Sequence, residues 1–189
     1  MANAKHQISP TTRMLTEGAI LIALALILGL LKLYEFPNGG AVSLEMLPLF
    51  LFCVRWGVGK GLLACLAFSV LQIFVQSAVG WGWVSMLLDY IVAFTVIAFA
   101  GLARGRKNGI FWGTVIGSLC RFLVHFISGI TVYRIVAPTK LLGTTWDNPW
   151  LYSAVYNGTY MGIDMILCLV VFALLMKPMH QFLTGEDLR

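Results

Sequence analysis

Charged side chains are scarce in this chain. Only 11% of its 189 residues are Asp, Glu, Lys or Arg, whereas 59% are apolar; an ordinary soluble domain has roughly 25% charged residues. A soluble domain of this size could not cover so much apolar surface. The bilayer suits this composition, because each helix that crosses it needs about 20 largely apolar residues. Little chain remains for a separate soluble domain, so we expect a single membrane domain over residues 1–189.

Metal-binding and catalytic motifs are also missing. The four cysteines lie within apolar runs without a CxxC spacing, and the three histidines are far apart, so neither a disulfide framework nor a metal site is expected. The glycine-rich stretch Gly57–Gly61 lacks the final Ser or Thr of a phosphate-binding loop. No arrangement of Ser, His and acidic residues is specific enough to indicate catalysis. We therefore predict a protein that is not an enzyme and that holds no cofactor.

The net charge of +5 could indicate nucleic-acid binding. The basic residues, however, lie between apolar runs, where the orientation signals of membrane proteins belong. We therefore expect no nucleic-acid partner. The chain is predicted to lie in the lipid bilayer.

Apolar runs divide the chain into six segments. They cover about residues 14–33, 44–54, 57–78, 83–102, 110–135 and 150–176. The second segment contains Pro48 and is short, since a helix of this length rises only about 16 Å, against a hydrocarbon core of ~30 Å. We interpret it as a tilted partial span that its neighbours shield.

The distribution of basic residues predicts the orientation. If all six segments cross, most basic residues share one side, and Lys32, Arg134 and Lys140 lie on the other. The first group comprises Lys5, Arg13, Arg55, Lys60, Arg104, Arg106, Lys107, Lys177 and Arg189. Because basic loops stay in the cytoplasm, both termini are expected there. The predicted fold class is an all-α integral membrane protein, a six-helix bundle with both termini cytoplasmic.

Ionisable residues inside apolar spans are candidates for function, because they are costly there. They are Glu17, Glu45, Asp89, Arg121, His125 and Asp164. Counting the helical rise from the outer ends of the spans places Glu45, Asp89, His125 and Asn157 together in the outer half of the membrane. Aromatic residues lie at similar depth, namely Trp81, Trp83, Tyr90, Tyr133, Trp146, Tyr152 and Tyr156. Two carboxylates with an aromatic wall suit an organic cation, since ring faces attract cations.

Other roles are open for several of these residues. Glu17, near the cytoplasmic end of its span, is interpreted as a snorkelling or capping residue. Arg121 and Asp164 are interpreted as an internal ion pair that holds helices together. Asp89 has no basic residue close to it in the sequence, which favours a ligand role. His125 either contacts the ligand or hydrogen-bonds another helix.

Five stretches together resemble the thiamine-specific substrate-binding subunits of energy-coupling factor (ECF) transporters. They are Leu15–Glu17, Ser43–Pro48, Leu88–Tyr90, Arg121–Gly129 and Pro149–Gly158. The resemblance covers residues 13 to 176. It implies a six-helix protein that captures thiamine from outside with high affinity in the plasma membrane of a bacterium. It also implies a complex with a transmembrane coupling subunit and two cytoplasmic ATPase subunits.

The resemblance also implies the residues of the pocket. They are Glu45, Asp89, Tyr90, Arg121, His125, Gly129, Tyr133, Tyr152 and Asn157. Some family members carry Glu, Lys and Trp at the positions of Asp89, Arg121 and Tyr133. A tyrosine offers a smaller stacking face than a tryptophan, so Trp146 or Trp81 is the alternative stacking partner.

Two further expectations concern the surface of the protein. Ala19 and Ala23 fit the small-x₃-small pattern with which the family's first helix meets the coupling subunit, and small residues let helices approach closely. The segment from Tyr34 to Val42 is expected to be a lid over the outer mouth of the pocket. The alternatives to a thiamine-binding subunit are the same fold with another vitamin or a thiamine precursor, a membrane-embedded enzyme using His125 and Asp89, or a self-sufficient cation carrier.

Overall fold

The computed structural model describes residues 9–36, 39–76, 82–136, 139–141 and 144–188. For those of them that fall within 132–144 it describes the backbone but not the side chains. The helices are α1 (Pro10–Leu30), α2 (Met46–Trp56), α3 (Val58–Val75), α4 (Trp83–Ala103), α5 (Gly109–Val136), α6 (Pro149–Met176) and α7 (His180–Thr184). The strands are β1 (Tyr34–Glu35), β2 (Ala41–Val42), β3 (Thr139–Leu141) and β4 (Thr144–Trp146), and a 3₁₀ turn covers Glu186–Leu188. Each strand pair, β1–β2 and β3–β4, forms an antiparallel hairpin.

Five of the described helices, namely α1, α3, α4, α5 and α6, are long and apolar enough to cross a membrane. Their outward surfaces carry large exposed apolar side chains such as Leu63, Phe74 and Leu174. Exposed apolar surface on every side is typical of a helical bundle that faces lipid. The protein is therefore a multi-pass membrane protein.

Local sequence signals set the beginnings of two of these helices. The Ser9 hydroxyl accepts a hydrogen bond from the Thr12 amide, and Pro10 follows it in the first turn of α1. The Asn148 side chain accepts hydrogen bonds from the amides of Trp150 and Leu151, and α6 begins at Pro149. The capping side chain accepts hydrogen bonds from amides that have no partner within the helix, and the proline fixes its own φ angle at a helical value. Both effects favour the start of a helix at this point.

The short helix α2 lies at the centre of the bundle. Every residue from Met46 to Trp56 is buried, and α2 packs against α1, α3, α5 and the last part of α4. A helix that is apolar all round needs such surroundings. Its neighbours thus shield it from lipid, although its 11 residues are too few to cross a full hydrocarbon core.

Helix α4 is irregular along most of its length. It begins as an α-helix, becomes a π-helix over Met86–Val92, returns to α over Ala93–Thr95 and ends as a 3₁₀ helix over Val96–Ala103. Inserted π-helical turns frequently mark functional sites. Here the π-helical part carries Asp89 and Tyr90.

The C-terminal segment folds back onto the ends of α1 and α2. The fully buried Arg55 side chain donates hydrogen bonds to Glu17 at 2.8 and 3.0 Å and to Asp187 at 2.8 and 3.0 Å. Its guanidinium also lies 3.7 Å from the centre of the Phe182 ring. The Trp56 indole donates to Glu17 at 2.8 Å. The interpretation of Glu17 as a snorkelling or capping residue is wrong, because Arg55 draws its carboxylate into an internal charge cluster.

Candidate functional site

A cavity of about 220 Å³ lies within the bundle beneath the β1–β2 hairpin. Its wall comes from α1, α3, α4, α5, α6 and the N-terminal end of α2. The lining residues are Gly29, Lys32, Gly39, Gly40, Ala41, Ser43, Glu45, Gln76, Ser85, Asp89, Tyr90, Phe94, Arg121, His125, Ser128, Gly129, Tyr152, Tyr156, Asn157 and Tyr160. A concave site with a few convergent polar groups among apolar and aromatic side chains is the usual form of a small-molecule site.

Glu45 stands where α2 begins, and two neighbouring helices hold its carboxylate. Arg121 of α5 lies 3.4 Å away, and Gln76 at the end of α3 donates a hydrogen bond at 3.2 Å. The expected ion pair between Arg121 and Asp164 is wrong. Glu45 lies next to Arg121, whereas Asp164 accepts a hydrogen bond from the Ser43 amide at 2.9 Å.

Arg121 keeps donors for a ligand. Its guanidinium lies 3.9 Å from the centre of the Phe94 ring, and its Nε and Nη1 have no hydrogen-bond partner among the residues that the structure describes. An unpaired buried donor is costly. A ligand acceptor at this wall would remove that cost.

Asp89 and His125 are in contact with each other in the cavity wall. One carboxylate oxygen of Asp89 lies 3.1 Å from Nδ1 of His125, and the other accepts a hydrogen bond from the Ser85 hydroxyl. The sequence offered no basic residue close to Asp89, but folding brings one from α5. Within the described part of the chain, Nε2 of His125 is buried without a hydrogen-bond partner. The pair therefore presents a carboxylate and a free ring nitrogen to the cavity.

A row of tyrosines on α6 forms the aromatic wall. Tyr152 and Tyr156 are stacked, with ring centres 5.6 Å apart and planes 9° apart, and Tyr160 meets Tyr156 edge-on at 5.5 Å. The Tyr160 hydroxyl donates to Oδ1 of Asn157 at 3.0 Å, while the Asn157 amide donates to the His125 carbonyl at 3.2 Å. Asn157 thus joins the tyrosine row to the helix that carries His125.

The β1–β2 hairpin covers the cavity on the side of the tyrosines. The Gly40 amide donates to the Tyr156 hydroxyl at 2.7 Å, and the Phe36 ring lies 6.1 Å from Tyr156 and 6.2 Å from Tyr160. A Cβ atom at Gly40 would lie 2.8 Å from both tyrosines, so only glycine permits this close approach. The predicted lid segment, apart from residues 37–38, which lie outside the described residues, therefore contacts α6 over the cavity.

The structure gathers most of the predicted site residues into the one cavity. These are Glu45, Asp89, Tyr90, Arg121, His125, Gly129, Tyr152 and Asn157. Trp146 does not line the cavity but packs against the cluster of Val42 and the α6 tyrosines. The side chain of Tyr133 and the whole of Trp81 lie outside the described residues. Ala19 and Ala23 are exposed on α1.

Sequence reasoning missed several lining residues. Gln76 and Ser43 contact Glu45 or its backbone, and Tyr160 closes the tyrosine row. The four-residue spacing of Tyr152, Tyr156 and Tyr160 could have revealed the row, because it places them on one helix face. No pattern marks Gln76, which was taken as part of an apolar run.

A bundle of apolar helices around a polar, tyrosine-lined cavity defines the class of the protein, a multi-pass membrane protein with a small-molecule site inside its bundle. Residues 15–184 match the family model described as thiamine transporter protein (Thia_YuaJ), and the chain belongs to this family. The family is one of transporters and not of enzymes. The resemblance that the sequence motifs indicate, to thiamine-specific substrate-binding subunits, is thereby confirmed.

Individual relatives agree with this assignment. The chain is 35% identical to thiamine transporter ThiT of Bacillus subtilis (strain 168), over 91% of this chain and 94% of that protein. It is 25% identical to thiamine transporter ThiT of Lacticaseibacillus paracasei, with 90% of each covered. Among solved structures, ThiT from Listeria monocytogenes has a similar fold, with a TM-score of 0.77, 23% identity, and coverage of 93% of this chain and 99% of that one.

Proposed function

We propose that this protein binds thiamine in the cavity beneath the β1–β2 hairpin and acts as the substrate-binding subunit of an ECF-type importer. The observation that carries the proposal is the presence of two carboxylates, Glu45 and Asp89, and a tyrosine wall in one cavity. Thiamine combines a cationic thiazolium ring with an aminopyrimidine. Carboxylates complement the cation and the amino group, and aromatic faces stack on both rings.

The roles of the lining residues follow from their contacts. Asp89 and Glu45 serve the cationic and amino-bearing parts of the ligand. Tyr90, Arg121, His125 and Tyr152 supply hydrogen bonds, Asn157 holds the tyrosine row in place, and Gly129 leaves room beside Ser153 and Asn157. Tyr133, whose side chain lies outside the described residues, is assigned to stacking by the family resemblance alone, with Trp146 or Trp81 as the alternative.

Membrane orientation belongs to the same proposal. Six helices, α2 included, carry the chain across the plasma membrane of a bacterium, with both termini in the cytoplasm. Two observations support this: the basic residues cluster between alternate helices, and the first turns of α1 lie beside the C-terminal segment through Arg13, Glu17 and Asp187. The exposed Ala19 and Ala23 face a transmembrane coupling subunit, which two cytoplasmic ATPase subunits power.

Identification of the bound ligand tests the proposal. Protein purified in mild detergent from cells grown with a mixture of vitamins should retain thiamine, which mass spectrometry of the denatured sample identifies. Protein stripped of ligand should then bind thiamine in a calorimetric titration. Retention of a flavin or of a thiamine precursor, with no thiamine binding, would contradict the proposal and favour the same fold with another vitamin.

A further inference from the structure

Asp164 is a buried acid that the proposed binding site does not use. It lies at the middle of α6 and is only 1% exposed, but it does not line the cavity. The ion pairs of the described residues do not include it, and its carboxylate accepts a hydrogen bond from the Ser43 amide at 2.9 Å. An acid inside a membrane bundle is costly. The hydrogen bond from the Ser43 amide offsets part of the cost of burying Asp164.

The Ser43 amide joins two parts of the site. Ser43 follows β2 directly, so it is the base of the β1–β2 hairpin. Its hydroxyl accepts a hydrogen bond from the Glu45 amide at 3.4 Å, where α2 begins. Asp164 therefore contacts the short connection between the lid and the residue that presents a carboxylate to the cavity.

One face of α6 provides a second contact for the same hairpin. Tyr152, Tyr156, Tyr160 and Asp164 are spaced four residues apart and therefore share that face. The hairpin meets this face at Gly40 through the Tyr156 hydroxyl, and Ser43 meets it through Asp164. The two α6 residues are about 12 Å apart along the helix axis. The tip of the hairpin and its base are thus fixed separately.

We propose that Asp164 is a positioning residue that anchors the base of the lid, and with it the N-terminal end of α2 that carries Glu45, to α6. It does not touch the ligand. By holding the base of the lid against α6 it slows ligand dissociation. This inference rests on the proposed function for the ligand, but the anchoring itself can be measured on ligand-free protein.

The test compares four variants. Asp164→Leu and the smaller Asp164→Ala remove the acceptor, whereas Asp164→Asn keeps a carbonyl oxygen for the Ser43 amide. Thr159→Val is the control, because it removes a polar group of the same helix whose hydroxyl donates within α6, to the Val155 carbonyl. Amide hydrogen exchange is followed over residues 39–45 in ligand-free protein. Stopped-flow fluorescence gives the rates of thiamine association and dissociation.

Asp164→Leu and Asp164→Ala should speed exchange over residues 39–45, with α5 unaffected, and raise the dissociation rate on the order of tenfold, as expected for loss of a buried hydrogen bond. Asp164→Asn should restore most of the slow dissociation, and Thr159→Val should resemble the parent. Unchanged exchange in both acceptor-free variants would overturn the proposal. So would faster exchange in every helix with slower association, which marks a general structural role.

If the parent failed to bind thiamine, the proposed function would fall, while the exchange data would still decide whether Asp164 anchors the lid.

Discussion

Asp89 and Glu45 differ in the partners that balance their charge. Glu45 lies beside Arg121, which is always a cation, whereas Asp89 contacts the Ser85 hydroxyl and the imidazole of His125, which can be neutral. The charge of Asp89 is therefore less fully compensated inside the protein. We therefore expect a cationic ligand ring to gain more from Asp89 than from Glu45.

Replacing Asp89 with Asn should weaken thiamine binding roughly 10- to 150-fold. The amide keeps the size and a hydrogen-bond acceptor but removes the charge, and a charged hydrogen bond contributes about 1.5–3 kcal/mol. Calorimetric titration measures the effect. Glu186→Gln, which removes an exposed acid at the far end of the molecule, is the matched control and should bind as the parent does. Binding by Asp89→Asn within about threefold of the parent would transfer the role to Glu45.

Gly29→Ala should weaken ligand binding about tenfold with little loss of thermal stability. A Cβ at Gly29 would lie 2.7 Å from a carboxylate oxygen of Glu45 and 2.6 Å from Nε2 of Gln76. Both are ends of flexible side chains, so they can move at small cost to folding, but Glu45 then leaves its position in the cavity. Gly162→Ala is the control, because nothing lies within 4 Å of its Cβ. Equal affinity in both variants would show that the position of Glu45 does not matter.

At the scale of elements, the apolar runs of the sequence coincide with helices. The scarcity of charge and the length of the apolar runs are enough to predict these helices, because a backbone segment that crosses a bilayer must satisfy its own hydrogen bonds. The π-helical part of α4 could not be predicted, since no residue type around Asp89 demands it. The partner of Arg121 was missed for a related reason: the helical rise gives a residue's depth, but not the rotation of one helix against another, so Glu45 and Asp164 could not be told apart.

Helix α2 joins the cavity to the opposite end of the bundle. Glu45 stands at its beginning, and Arg55 in its last turn holds Glu17 and Asp187. Arg55→Met should therefore lower the free energy of unfolding by about 3 kcal/mol, because it leaves two partly buried carboxylates without their shared cation. Thermal unfolding in detergent measures this. Lys107→Met removes an exposed cation at the same end and should change stability by less than about 0.5 kcal/mol.

The C-terminal contact of this cluster should depend on pH. Burial acts to raise the pKa of Asp187, but the hydrogen bond from Arg55 and the charges of Arg55 and Arg13 outweigh it, and the pKa lies below its ordinary value. The unfolded chain therefore takes up the proton first as pH falls. Asp187→Asn should lower the melting temperature at pH 7, and the difference from the parent should shrink between about pH 5 and pH 3. A difference that stayed constant with pH would exclude a charge interaction at Asp187.

For the whole molecule, the number of crossings decides which sides the ends occupy. Five long helices alone would put the two termini on opposite sides of the membrane, whereas α2 as a sixth crossing puts them on the same side. The contacts of Arg13 and Glu17 at the beginning of α1 with Arg55 and Asp187 near the ends of α2 and of the chain favour the same side. A short, fully buried helix can complete a crossing because its neighbours, and not lipid, surround it.

Cysteine labelling of intact cells tests this topology. An impermeant thiol reagent should label Asp147→Cys, an exposed position just before α6, and should label Asn3→Cys and Glu186→Cys only after the cells are permeabilised. The parent chain is the control, because Cys53, Cys65 and Cys168 are buried and Cys120 is partly so. Labelling of exactly one terminus in intact cells would mean an odd number of crossings and would remove α2 from the count. Labelling of both termini but not of position 147 would keep six crossings and reverse the orientation that the basic residues predict.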